Sequence, residues 1–208
     1  TLEFAREHPG SPAARSELSR SRERFFFSLE CPPPRILYFP RGTYRVRDTI
    51  RYTIRDWQNT AGAEIARMLH FRGESETETI IKLDDDCPGF EAGAERPVVD
   101  FMGGVSTNTA QQNFFENLTV DVGRGNPGAV GLVFFANNSG AVRHVTLRSS
   151  DPDGGGEVGF LVRNWNVSAS LIQHLTVEGF DVGVGIRHPR LNVVLEHITV
   201  RGQRRFGV

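Results

Sequence analysis

The sequence predicts an all-β protein whose chain winds as a parallel β-helix. Three observations predict it: one short phrase recurs four times, a second phrase interleaves with it, and both are built from strand-forming residues. The first phrase is Asn117-Leu118-Thr119-Val120, His144-Val145-Thr146-Leu147, His174-Leu175-Thr176-Val177 and His197-Ile198-Thr199-Val200. Its threonines lie 27, 30 and 23 residues apart. The second is Gly131-Leu132-Val133-Phe134, Gly159-Phe160-Leu161-Val162 and Gly183-Val184-Gly185-Ile186. Constant phrases at unequal spacing imply a fixed scaffold with variable loops. Periods of this size mark solenoids, whose repeats bury their apolar faces only by stacking on each other. Val, Ile, Leu, Phe and Thr suit a pleated surface, and no long stretch follows the 3.6-residue helical period. Each repeat then reads as one turn of backbone rising about 4.8 Å, the ordinary spacing of paired strands.

Residues 1–34 stand apart. Ser11-Pro12 before Ala13-Ala14-Arg15-Ser16-Glu17-Leu18 reads as an N-cap, a first-turn proline and a short helix. A charged run follows, then the apolar Phe25-Phe26-Phe27, and Cys31-Pro32-Pro33-Pro34 ends the segment. Stacked strands leave unpaired edges at the end of the stack, so this segment is expected to act as a helical cap on the first coil. The alternative is a leader with one aromatic patch. The β-helix domain itself is placed at 35–208.

From Ile36 to Leu83 the expected strands are Ile36–Phe39, Tyr44–Val46, Thr49–Thr53, Met68–Phe71 and Thr79–Leu83, with turns at Gly42 and Gly73. Asp84-Asp85-Asp86 reads as a solvated loop, because adjacent carboxylates do not share the alternating spacing of an EF-hand. Val98–Phe101 opens the repeating region, and Gly103 to Gln112 is a polar loop. The loops between later coils are Gly123–Ala129, Ser149–Glu157 and Glu178–Asp181.

Aligned on threonine, the repeats form columns. Phe115, Val142, Ile172 and Leu195 are followed by Glu116, Arg143, Gln173 and Glu196. Next come Asn117, His144, His174 and His197, then Leu118, Val145, Leu175 and Ile198. Apolar residues on both sides of a polar pair break strict alternation, so the chain is expected to turn a corner at the Asn/His column. Histidines one per coil lack the spacing of a zinc site, and no metal ligands are assigned. In the glycine-led strands, Leu132, Phe134, Phe160, Val162, Val184 and Ile186 are expected to face inward. Val133, Phe135, Leu161, Arg163, Gly185 and Arg187 are expected to face outward.

These phrases, together with the segment Ile36-Leu37-Tyr38-Phe39-Pro40-Arg41-Gly42-Thr43-Tyr44-Arg45-Val46, resemble the pectate-lyase-like superfamily of right-handed parallel β-helices. That superfamily includes pectate lyases, polygalacturonases, rhamnogalacturonases and exo-β-1,3-glucanases. The likeness runs from about residue 36 to residue 202 and includes Phe71-Arg72-Gly73 and Thr79-Ile80-Ile81-Lys82-Leu83. It implies a single-stranded right-handed helix, a polysaccharide substrate, and a secreted or cell-surface location. It implies a glycoside hydrolase or a polysaccharide lyase, needing no cofactor in the first case and taking Ca²⁺ in some lyases. The polygalacturonase phrases Asn-Thr-Asp, His-Gly and Arg-Ile-Lys do not occur. The competing expectation is a non-catalytic module that binds polysaccharide or serves as structure, as in tailspike-like and adhesin-like proteins.

In the superfamily the substrate usually lies along the outer face of one sheet. If the glycine-led strands form that sheet, Arg163, Trp165, Arg187 and His188 are the candidate substrate-binding residues. Arginines side by side suit an anionic sugar, because a guanidinium grips a carboxylate through two parallel bonds. An exposed Trp suits stacking on a sugar ring. The plainer reading is that both arginines pair with nearby acids. Hydrolysis needs two carboxylates about 5 to 9.5 Å apart, and Glu157 with Asp181 are the candidates on adjoining coils. A lyase needs instead a base and positive charge beside the sugar carboxylate.

A formal net charge of −1 gives no electrostatic footprint for nucleic acid. No apolar run is long enough to span a membrane. Cys31 and Cys87 either pair or stay free, and the sequence leaves both open. The chain opens without Met or a signal peptide and stops just after a complete phrase, so it is read as a portion of a longer β-helix.

Overall fold

The computed structural model describes residues 35–53, 69–103, 112–137, 139–163, 170–187 and 192–208. The expected helical cap, and with it Cys31, lies outside them. All ordered elements among the described residues are strands, and every pairing between them is parallel.

Following the chain gives successive coils. The first holds β1 (Arg35–Phe39), β2 (Gly42–Val46) and β3 (Ile50–Thr53). The second holds β4 (Leu69–Gly73), β5 (Thr79–Leu83) and β6 (Arg96–Gly103). Three longer pairs follow: β7 (Phe114–Asp121) with β8 (Ala129–Val133), β9 (Gly140–Arg148) with β10 (Val158–Val162), and β11 (Ser170–Glu178) with β12 (Val182–Ile186). Then come β13 (Val193–Glu196) and β14 (Thr199–Arg201), and Phe206 bridges to Val182. Each coil pairs with the next in register, so one sheet runs β12-β10-β8-β6-β3 and the other carries the remaining strands. This arrangement fits a parallel β-helix.

The threonine alignment is the register. Thr119 pairs with Thr146, Thr146 with Thr176 and Thr176 with Thr199. The corner falls where alternation broke. Asn117, His144, His174 and His197 have φ of 57°, 52°, 52° and 52°, in the left-handed region that L-residues rarely enter. One left-handed residue re-aims the strand, and the apolar residues on either side then both point inward. Phe115, Leu118, Val142, Val145, Ile172 and Leu175 are accordingly all buried in one core. The three imidazoles are exposed and stack face to face, with centroids 4.7 and 4.8 Å apart.

The core is layered by ring. Phe39, Phe71 and Phe115 follow one another on one wall at 5.3 and 5.9 Å, and Phe101, Phe134 and Phe160 on the facing wall at 5.9 and 6.5 Å. Phe71 meets Phe101 edge-on at 4.9 Å and ties the walls together. The glycines that open the second phrase sit where the walls pinch. A Cβ on Gly159 would lie 2.1 Å from Val177 Cγ1 and 2.9 Å from the Gly183 carbonyl oxygen; on Gly183 it would lie 2.4 Å from Val200 Cγ1.

Two facing expectations need correction. Phe135, expected outside, is buried in the main core, because β8 ends at Val133 and alternation no longer applies beyond it. Ile186, expected inside, is 42% exposed, because it ends β12, the last strand of its sheet. A third point concerns Val133 and Leu161. They do face away from the core, but they are fully buried and form a second apolar cluster with Val130 and Val158.

Candidate functional site

The outward side of the β12-β10-β8-β6-β3 sheet carries a polar cleft of about 550 Å³. Its lining comes from the lead-in and start of β3 (Asp48, Thr49, Arg51), the lead-in and start of β6 (Ala94 to Pro97) and Arg163 just past β10. Parallel register brings these together although they are far apart in sequence. Val162 pairs with Ile186, so Arg163 and Arg187 leave their strands at equivalent positions on adjoining coils. The Arg187 amide donates to the Val162 carbonyl at 2.9 Å and fixes that offset.

Both guanidiniums converge on one carboxylate, Glu95. Arg163 Nη1 lies 3.5 Å from Glu95 Oε1, and Arg187 Nη1 bonds Glu95 Oε2. Glu95 ends the loop before β6 with φ of 43°. Its amide donates to Glu157 Oε2 at 3.1 Å, and the next amide, of Arg96, donates to the Gly128 carbonyl at 2.9 Å. The loop is therefore pinned by its backbone while its carboxylate spans the two arginines.

The rest of the cleft is also charged and paired. Arg96 bonds Asp48, and its guanidinium lies 4.8 Å above the Phe90 ring. The Thr49 amide at 2.6 Å, and then Arg96, hold the Asp48 carboxyl below the usual carboxylate range. Arg51 Nε donates to Asp100 Oδ2 at 3.0 Å. Asp100 is fully buried, and its Oδ1 has no hydrogen-bond partner among the described residues.

Glu157 and Asp181 precede the paired residues Val158 and Val182, so their backbones adjoin at about 4.8 Å. Their carboxylates are engaged separately: Glu157 accepts the Glu95 amide, and Asp181 Oδ1 accepts from Arg204 Nε at 2.5 Å. Both are half-buried. Trp165 and His188, expected to flank the arginines, lie outside the described residues. Sequence reasoning missed Glu95, Asp48, Arg51, Arg96 and Asp100. A signal existed for two of them: β3 and β6 are neighbouring strands of the same sheet, and Arg51 and Asp100 are opposite charges in register.

A second cleft of about 390 Å³ lies on the corner column, between Glu76 and the stacked His144, His174 and His197. Glu76 is held there by Thr119 Oγ1, which donates to its carbonyl at 2.6 Å, and by Thr146 Oγ1, which donates to its Oε1 at 2.9 Å. Asp84, from the acidic run, is gripped by Arg45 and Arg47, each at 2.7 Å. Burial pushes its carboxyl up, but those two arginines outweigh it and hold it below the ordinary range. Cys87 is a free, buried thiol that donates to the Arg47 carbonyl at 3.2 Å. Among the described residues no helix is long and apolar enough to cross a membrane.

The family model described as rhamnogalacturonase A/epimerase, pectate lyase-like, matches residues 30–206. No curated protein and no solved structure matches the chain.

Proposed function

This chain belongs to the rhamnogalacturonase A/epimerase, pectate lyase-like family, and from that premise we propose that it is a carbohydrate-active, right-handed parallel β-helix. Its substrate is an acidic polysaccharide that binds at the polar cleft between Arg163 and the starts of β3 and β6. The observation that carries this reading is the convergence of Arg163 and Arg187 on one carboxylate beside a polar cleft. Two guanidiniums already arranged around a carboxylate offer a sugar carboxylate the same planar, charge-assisted contacts. Trp165 and His188 follow Arg163 and Arg187 in sequence and are the further residues to substitute when binding is tested. As a secreted or surface protein it meets such polymers outside the cell.

For the chemistry, a glycoside hydrolase or a polysaccharide lyase, Glu157 and Asp181 are the carboxylates to test. A lyase would rely on Arg163 and Arg187, or on Ca²⁺, to stabilise charge at the sugar carboxylate. One observation favours a second reading, binding without catalysis. Glu95, Glu157, Asp181 and Asp48 each already hold a partner. Hydrolysis needs a carboxyl and a carboxylate free to face the scissile bond.

A panel of acidic and neutral polysaccharides separates the readings. New reducing ends without unsaturation indicate a hydrolase, and an ultraviolet-absorbing unsaturated product indicates a lyase. Retention on acidic polymer without any product indicates a binding module. Absence of both product and retention on every acidic polymer contradicts the proposal.

A further inference from the structure

We propose that Glu95 is a specificity-determining residue of this face: a resident carboxylate that occupies the arginine pair and must be displaced by the carboxylate of an incoming acidic sugar. The inference rests on the acidic-polysaccharide reading above and adds to it a residue that competes with the substrate.

The geometry supports displacement over a permanent structural role. Arg163 and Arg187 lie on adjoining coils, whereas Glu95 reaches them from the lead-in to β6, beyond the intervening strand β8. The loop's position does not depend on that contact. The Glu95 amide is held by Glu157, the Ala94 amide donates to the Glu91 carbonyl at 3.0 Å, and the Arg96 amide is held by Gly128. Rotation of the Glu95 side chain therefore leaves the loop in place. The left-handed backbone at Glu95, φ 43°, is kept at a small energetic cost at a residue whose carboxylate pairs with both arginines.

The charges facing this point can be counted from their elements. Glu95 brings one negative charge and the two arginines bring two positive ones, while Glu157, on the lead-in to β10, adds one negative charge next to the loop. Arg96 and Arg51 are committed to Asp48 and Asp100. The cluster is close to neutral while Glu95 is in place. Once Glu95 swings out to solvent, both guanidiniums lose their carboxylate, and among the described residues Glu157 is the nearby acid that remains. A single acidic group must then compete with a tethered carboxylate for that place. A polymer with a carboxylate on each residue competes better, because each further contact is made at high effective concentration.

The test uses two probes with the same skeleton: a trimer of galacturonic acid and its fully methyl-esterified form, which is neutral. Each is titrated by calorimetry against the full chain, Glu95→Gln, Arg163→Ala/Arg187→Ala, and the triple variant. Glu95→Gln should bind the acidic trimer roughly three- to tenfold more tightly, since two partly exposed ion pairs no longer compete for it. The gain should shrink with added salt, be absent for the ester, and vanish in the triple variant. Equal or weaker binding of the acid by Glu95→Gln overturns the role of Glu95 when the double arginine variant still binds less tightly than the unaltered chain. Equal binding by the unaltered chain and the double arginine variant overturns the acidic-sugar reading itself. If Glu95→Gln unfolds, Glu95→Asp takes its place. Its carboxylate keeps the charge but is one methylene short of spanning both guanidiniums, so a smaller gain in the same direction is expected.

Discussion

Replacing His174 tests the corner that re-aims the longer strand of each coil. The residue is exposed, has φ of 52°, and stacks between His144 at 4.7 Å and His197 at 4.8 Å. Two terms are lost or gained on substitution. The first is the stacking, worth about 0.5 kcal/mol or a little more per ring pair and reduced by exposure. The second is the backbone term, about 1–2 kcal/mol for an L-residue in the left-handed region. Asn tolerates that region and already fills the column at Asn117, so His174→Asn loses only the stacking. His174→Val loses the stacking and adds the full backbone term, because a β-branched side chain fits that region worst. His174→Gly removes the strain but gains freedom in the unfolded chain, which leaves it near the Asn variant. Val should therefore unfold about 1–2 kcal/mol below Asn. For a domain of this size that is about 2–8 °C in melting temperature. The assay is thermal and urea unfolding followed by circular dichroism. Valine and asparagine variants that melt together would refute the left-handed corner as the determinant.

Three further outcomes follow from packing and charge. Phe160→Ala should cost about 3–5 kcal/mol and Leu161→Ala about 2–5, since both are fully buried, on opposite sides of one strand; a harmless Leu161→Ala in urea titrations would remove the second apolar cluster. Gly159→Ala should lose about 1–3 kcal/mol, because its methyl would press on Val177 and on the Gly183 carbonyl, and an unchanged urea midpoint would contradict the pinch. Asp121 is buried, and burial alone would raise its carboxyl. Bonds from Ser150 at 2.6 Å, the Gly123 amide at 2.9 Å and Arg148 at 2.9 Å outweigh this and hold it below the ordinary value. A depressed folded value confers stability that is complete above about pH 4 and is lost as pH falls through that lower value. Asp121→Asn should flatten the acid limb of urea midpoint against pH, and an unchanged limb would contradict it.

The scaffold was legible because a parallel β-helix repeats its physics once per coil. Thr146, Thr176 and Thr199 could be set in register from sequence since each sits at the same offset from a corner. The corner itself showed as Phe115 and Leu118 flanking two polar residues, a spacing that strict alternation forbids. The glycines of the second phrase were visible, but their cause was not, because Gly159 answers to Val177 on the opposite wall. The fate of Leu161 was also hidden. Alternation says which way a side chain points and is silent on whether that side is covered. The site was the least legible part. Arg163 and Arg187 follow from the repeat, but their shared partner Glu95 lies 68 and 92 residues away. It sits outside the recurring phrases, in a loop with no period to reveal it. Arg51 and Asp100 required the pairing of β3 with β6, and neither strand carries either phrase.

The central claim is that acidic polysaccharide binds at the polar cleft beside Arg163 and Arg187. A crystal structure of the chain soaked with a galacturonic acid oligomer tests it most directly. The account predicts sugar in the cleft between Arg163 and the starts of β3 and β6, with one of its carboxylates against Arg163 and Arg187 and Glu95 turned away. Sugar seated instead in the cleft of His144, His174 and His197, with Glu95 still between its arginines, would contradict it.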